Sequence, residues 1–160
     1  MSLKTIYDDN ITSIRKIAQL ILVTVGDFKQ YTNPVNQMMK VLNKVPKLTN
    51  KKKRLNRYIL IFDITNAPNP PFAFIPSFVS WVLNNREHFS KTLNCTYIDG
   101  LSPQKQRLFA PALKLASRPV LYECPAEIMN YFTPKETSGG GKHDTALSDW
   151  SDVATALPKL

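Results

Sequence analysis

The run YILIFDI, residues 58–64, restricts the fold more than any other part of the chain, because six of its seven side chains are apolar and they do not alternate with polar ones. A half-exposed strand alternates. An uninterrupted apolar strand needs cover on both faces, which the centre of a parallel sheet provides through its helical crossovers. The chain has candidates for those crossovers, since strand-like apolar runs alternate with helix-like stretches and give four βα units. The expected fold is α/β, a mainly parallel sheet of about four to five strands with covering helices.

The first strand is expected at residues 17–25, IAQLILVTV, closed by Gly26 and Asp27 as turn residues. A helix over 34–45 follows, with Thr32 or Asn33 as N-cap and Val35, Met38, Met39 and Leu42 on one face. After the central strand and a proline-heavy loop, NAPNPPFAFIP, a helix over about 76–89 turns Phe78, Val79, Val82 and Leu83 inward. A short strand, CTYI (95–98), leads to Ser102 and Pro103, an N-cap and N1 pair that opens a helix running towards Ala116. Its Leu108, Phe109, Ala112, Leu113 and Ala116 share one side, Arg107, Lys114 and Arg118 the other, and Pro111 should kink it. VLYEC (120–124) reads as a last strand, followed by a short helix through Phe132.

Length and composition fit this plan: 160 residues with 43% apolar and 10% aromatic content suffice for one core. Residues 1–132 form the expected domain, 133–147 (with GGGKHD) a linker, and 148–160 an amphipathic tail in which Trp150, Val153 and Leu157 share a docking face. Two cysteines suit an intracellular protein with reduced, buried thiols, and neither a signal peptide nor a membrane-spanning segment is legible.

The net charge of +9 is concentrated in the body, where residues 1–132 hold 18 Lys and Arg against 8 Asp and Glu. Lys51, Lys52, Lys53, Arg54 and Arg57 fall in a stretch free of acids, which faces either solvent or an anionic partner. A membrane surface and a nucleic acid both supply such anions, although the run lacks the interleaved aromatics that stack on bases. Catalytic chemistry has little support. His88, Asp63 and Asp99 stand near the ends of expected elements with no nucleophile coupled to them, and two histidines with two cysteines imply no metal site. No cofactor is implied, and the expectation is a protein that is not an enzyme.

Four segments in order resemble the CRAL-TRIO lipid-binding family. They are YILIFDI, like the family's central strand; NNREHFSKTLNCTYIDG, like its helix end and following strand; SPQKQRLFAPALKLASRPVLYE, similar to its gate-helix region; and AEIMNYFTPKETSGGG, similar to its ending. The chain departs from the family pattern at Ser90 and at Asp99, Gly100 and Leu101. The STAS domain, a protein-interaction fold, is similar in element order, with Thr65, Asn66 and Ala67 where its phosphorylatable serine would fall. The first resemblance implies an apolar slot between sheet and amphipathic helix, lined by Phe72, Phe74, Phe78, Leu108, Phe109 and Leu113. Lys105, Arg107, Lys114 and Arg118 would then meet a lipid phosphate. The same side chains would otherwise fill an ordinary core. The expected role is a module that binds a phospholipid or a protein partner within a larger assembly, with a basic nucleic-acid-associated structural protein as the alternative.

Overall fold

The structure, a computed structural model, describes residues 2–49 and 57–133. Lys51, Lys52, Lys53 and Arg54, the 134–147 part of the expected linker, and the tail carrying Trp150, Val153 and Leu157 lie outside the described residues. Six strands form one sheet in chain order: β1 (Lys4–Asp8), β2 (Thr12–Ile17), β3 (Leu20–Val25), β4 (Tyr58–Asp63), β5 (Leu93–Asp99) and β6 (Val120–Tyr122). The α/β class stands, but the expected mainly parallel sheet of four to five strands is corrected. β1 and β2 pair antiparallel, as do β2 and β3, and only the β3–β4, β4–β5 and β5–β6 pairs are parallel.

The missed element is a hairpin. Ile17 pairs with Leu20, so the expected single strand over 17–25 turns back on itself through Ala18 and Gln19. Two-residue hairpin turns need φ > 0, which Gly or Asn normally provides; here Ala18 adopts φ 51° itself. Without a turn residue the sequence reads straight through. The β1–β2 turn does carry such residues, with Asn10 at φ 72°.

β3 and β4 are buried on both faces. On one face Ile21, Val23 and Val25 of β3 join Tyr58, Leu60 and Phe62 of β4 under α1 (Pro34–Leu42), α3 (Phe74–Asn84) and α5 (Pro103–Leu113). On the other, Leu20, Leu22, Ile59 and Ile61 pack with Cys95 and Tyr97 against Ile128 of α6 (Ala126–Met129) and Phe132. Two shorter helices, α2 (Val45–Leu48) and α4 (Arg86–Thr92), lead into β4 and β5. The helix expected over 34–45 is α1, which ends at Leu42, and the one over 76–89 spans most of α3 and part of α4; Leu83, expected inside, is exposed. Among the described residues no helix is long and apolar enough to cross a membrane.

Register places Asp8, Asp63 and Asp99 in one row across the sheet, through Ser13 and Thr24. Each accepts a backbone N–H at this edge: Asp8 from Asn10 and Asp63 from Thr65 in the loops that follow them, and Asp99 from Cys124, just past β6. Asp27 does the same for Lys29. Asp9 is the most heavily bonded of the set. It accepts from the Ile11 and Thr12 N–H groups at 2.9 and 2.7 Å, and from the Tyr7 and Tyr31 hydroxyls at 2.6 and 2.5 Å. Gln37 of α1 donates to the Tyr7 hydroxyl at 2.9 Å, so this carboxylate ties the first hairpin to the helix that walls the site described below.

Burial pushes the Asp9 carboxyl up, but the four hydrogen bonds outweigh it and hold the group at about 2. A depressed folded-state pKa stabilises above the unfolded value and loses that contribution as pH falls through the folded one. The group keeps some solvent access, which screens the effect, so Asp9→Asn should cost about 1 kcal/mol at neutral pH, with the cost shrinking between about pH 4 and pH 2. Urea titrations of both proteins at pH 7 and pH 2.5 check this. Ala18→Gly should stabilise by about 0.5 kcal/mol, the relief of the left-handed Ala outweighing the added chain entropy; a lower thermal midpoint would contradict the strained-turn reading.

Candidate functional site: an apolar slot at the carboxyl ends of the strands

Parallel strands deliver their connecting loops to one edge, and ligand sites of α/β sheets gather outside the carboxyl ends of the strands. Here that edge carries an apolar slot of about 80 Å³. Val25, Phe62 and Ile98, near the ends of β3, β4 and β5, form its floor. α1 contributes Val35, Met38 and Leu42; α3 contributes Phe74 and Phe78; α5 contributes Phe109 and Leu113. Pro68, Pro70 and Pro71 of the loop after β4 close the remaining side.

The walls are fixed by aromatic packing. Phe74 and Phe78, one turn apart on α3, stack at 5.7 Å, and Phe109 of α5 meets both edge-on at 6.4 and 5.4 Å. Edge-to-face geometry of this kind adds to the energy of burial and fixes the separation of the two helices. Trp81 continues the row at 5.8 Å from Phe78, and its indole N–H donates to the Leu42 carbonyl at 3.1 Å, which holds α1 against α3.

Lys105 is the one ionisable residue among those lining the slot. Only 9% exposed, it extends from the first turn of α5 to donate to the Ala67 carbonyl at 2.6 Å and the Ile64 carbonyl at 3.3 Å. Its charge satisfies the Ala67 carbonyl, which the proline-rich loop leaves without an internal donor, and adds a second bond to the Ile64 carbonyl, which already accepts the Ala67 N–H at 3.1 Å. The loop is therefore tied to α5 across the slot. Gly100 sets the same edge. It has φ 87°, and a Cβ there would lie 2.5 Å from the Thr65 backbone, so only glycine lets the loops after β4 and β5 approach this closely.

The expected slot residues divide. Phe74, Phe78, Phe109 and Leu113 converge on one space, Leu108 lies outside it, and Phe72 stands 86% exposed next to Pro71, an exposed residue of the slot's rim. The expected phosphate contacts divide as well. Arg107 and Lys114 are exposed on the outer side of α5; Arg118 donates to the Asn94 carbonyl at 3.3 Å and Arg57 to the Ser90 carbonyl at 3.2 Å. Lys105, read from the sequence as an anion contact, is the loop tether. The lining that sequence reasoning missed comes from α1 and the prolines: Val35 and Met38 had the periodicity of a buried face, but nothing local shows which cavity that face meets. Pro111 sits in the last turn of α5, and the helix continues only to Leu113.

His88 is held between two helices, and of the two cysteines Cys95 is buried and Cys124 half-buried. His88 Nε2 lies 2.8 Å from the Thr49 hydroxyl and 3.0 Å from the Pro46 carbonyl; a carbonyl only accepts, so Nε2 carries the proton and pins α4 to α2. Burial pushes the Cys95 thiol up to about 11 and Cys124 up to about 12, which keeps both protonated and weakly nucleophilic. Comparison with protein-family models, curated proteins and solved structures finds no match to this chain.

Lys105→Met keeps the stem and removes both hydrogen bonds, leaving the Ala67 carbonyl unpaired at a cost of about 1–3 kcal/mol. Arg107→Met, two residues along on the solvent side, should stay within about 0.5 kcal/mol of the parent. Equal urea midpoints for the two variants would show that the tether contributes nothing.

Proposed function

We propose that this chain is a non-enzymatic binding module whose slot receives an apolar group, the end of a lipid chain. The observation that carries the reading is the slot's composition: an apolar lining at the strand ends whose single charged group is already held by two carbonyls. Such a lining rewards transfer of a hydrocarbon from water and offers a polar substrate almost nothing. The resemblance to CRAL-TRIO domains supports the same reading, since the segment similar to the family's gate helix is α5, one wall of the slot. In this reading the module works inside a larger assembly.

Size limits what enters. At about 80 Å³ the slot has roughly half the ~150 Å³ that accommodates a benzene ring, so it takes about three methylene groups. At about 0.8 kcal/mol each, that is about 2 kcal/mol, more than a tenfold gain in affinity, with the rest of the ligand outside. A second reading follows from Phe72, whose 86% exposure beside the rim suits a partner protein that covers it while inserting one apolar side chain into the slot. This is the STAS-like alternative of a protein-interaction domain.

A fatty-acid analogue with an environment-sensitive fluorophore separates these readings. The parent protein should bind it, and Leu113→Trp from α5 or Val35→Trp from α1 should each weaken binding about tenfold with the fold intact by circular dichroism. Binding that neither variant alters places the probe elsewhere and removes the slot reading. No binding by the parent, together with partner capture that Phe72→Ser abolishes, favours the protein-interaction reading.

A further inference from the structure

Outside the slot, the edge of the sheet formed by β1 and β2 carries cations that do not line the apolar site. Lys4 of β1 lies directly opposite Lys16 of β2. Like charges facing across a strand pair are unfavourable unless an anion relieves them. Register puts Lys16 level with Ile21, near the amino end of β3, on the helix-covered face. Its ammonium lies 5.1 Å from the centre of the Tyr58 ring, and Lys44, just past α1, sits 5.2 Å from the Tyr7 ring. Tyr7 is on the same face of β1 but pairs with Ile14, towards the other end of the strand, so the lysines line this face of the sheet edge, with Lys4 and Lys16 at one end and Lys44 over Tyr7. Lys4 and Lys44 are exposed. The one ion pair among the described residues joins Lys91 and Glu87 on α4, so none of these lysines forms an ion pair with a described carboxylate; an acid, Asp9, stands at the Tyr7 hydroxyl.

Two apolar side chains stand in the same strand region. Ile6 is the extra residue of a β-bulge between Thr5 and Tyr7; it has no partner in β2 and is 40% exposed, and Leu3 is 38% exposed. Bulges on edge strands redirect side chains away from the ladder, and here the redirected one is an isoleucine among lysines. A nucleic-acid backbone would use the charges alone and leave the isoleucine in water. Base stacking is not served either, because Tyr58 is buried and Tyr7 half-buried under lysine ammonium groups.

We infer that the β1 edge, through Lys4, Lys16 and Lys44 with Ile6 and Leu3, docks on the surface of an anionic phospholipid bilayer. The ammonium groups would meet headgroup phosphates and carboxylates while the two apolar side chains enter the headgroup boundary, the combination that holds peripheral proteins at such surfaces. The surface is separate from the slot.

Co-sedimentation with vesicles of phosphatidylcholine, with and without phosphatidylserine, tests this. The parent should bind only the serine-containing vesicles and release them as salt rises. Lys4→Gln/Lys16→Gln/Lys44→Gln should weaken that binding at least roughly tenfold while leaving uptake of the fluorescent fatty acid by the slot unchanged. Leu3→Ser/Ile6→Ser, which leaves the charges in place and Tyr58 untouched, should weaken it by a smaller factor. Equal binding to neutral vesicles, or full binding by both variants, overturns the inference. So does single-stranded RNA bound by the parent and lost in the triple variant when no vesicle is bound, because the patch would then be a nucleic-acid contact.

Discussion

Burial of β4 on both faces is the constraint from which the rest of the architecture follows. Its ladder is parallel on each side, to β3 and to β5, and a parallel neighbour can be reached only by a crossover that returns to the starting edge. The crossovers carry α1, α2, α3 and α4, and α5 returns in the same way to β6. Each therefore leaves its preceding loop at the carboxyl edge. The slot is where those loops and helix starts fail to close completely, so its position follows from the strand order and its apolar character from lying over an apolar strand end.

The slot also depends on contacts that hold its rim rather than its walls. Gly100 and Thr65 bring two loops into backbone contact, Lys105 ties a loop poor in N–H groups to α5, and the Trp81 indole fastens α1. None of these side chains has to touch a ligand. They determine how far apart the aromatic faces stand, which for a space this small decides whether any hydrocarbon fits.

Much of this was legible in the sequence, and the exceptions have identifiable physical causes. β4 was legible because its apolar run excludes a surface strand, and α5 because Ser102 and Pro103 form a helix start, observed as a hydrogen bond from the Lys105 N–H to the Ser102 hydroxyl at 3.3 Å. The β2–β3 hairpin was illegible because Ala18 occupies a conformation for which its side chain gives no signal. For the site, the aromatic residues of α3 and α5 were found from helical spacing. Lys105 was misjudged because spacing cannot tell a lysine facing solvent from one facing the carbonyls of a distant loop; that distinction exists only in the tertiary structure.

The row of aspartates at the carboxyl edge has a consequence for the slot. Asp8, Asp9, Asp27, Asp63 and Asp99 are all engaged in receiving loop N–H groups, which fixes much of the negative charge at one end, while Lys4, Lys16 and Arg57 lie towards the opposite end of the strands. Among the described residues, these five carboxylates and three cations are thus separated along the strand direction. A carboxylate already held by loop N–H groups has little left to offer a ligand, so the rim of the slot stays apolar in effect although several acids stand at the same edge.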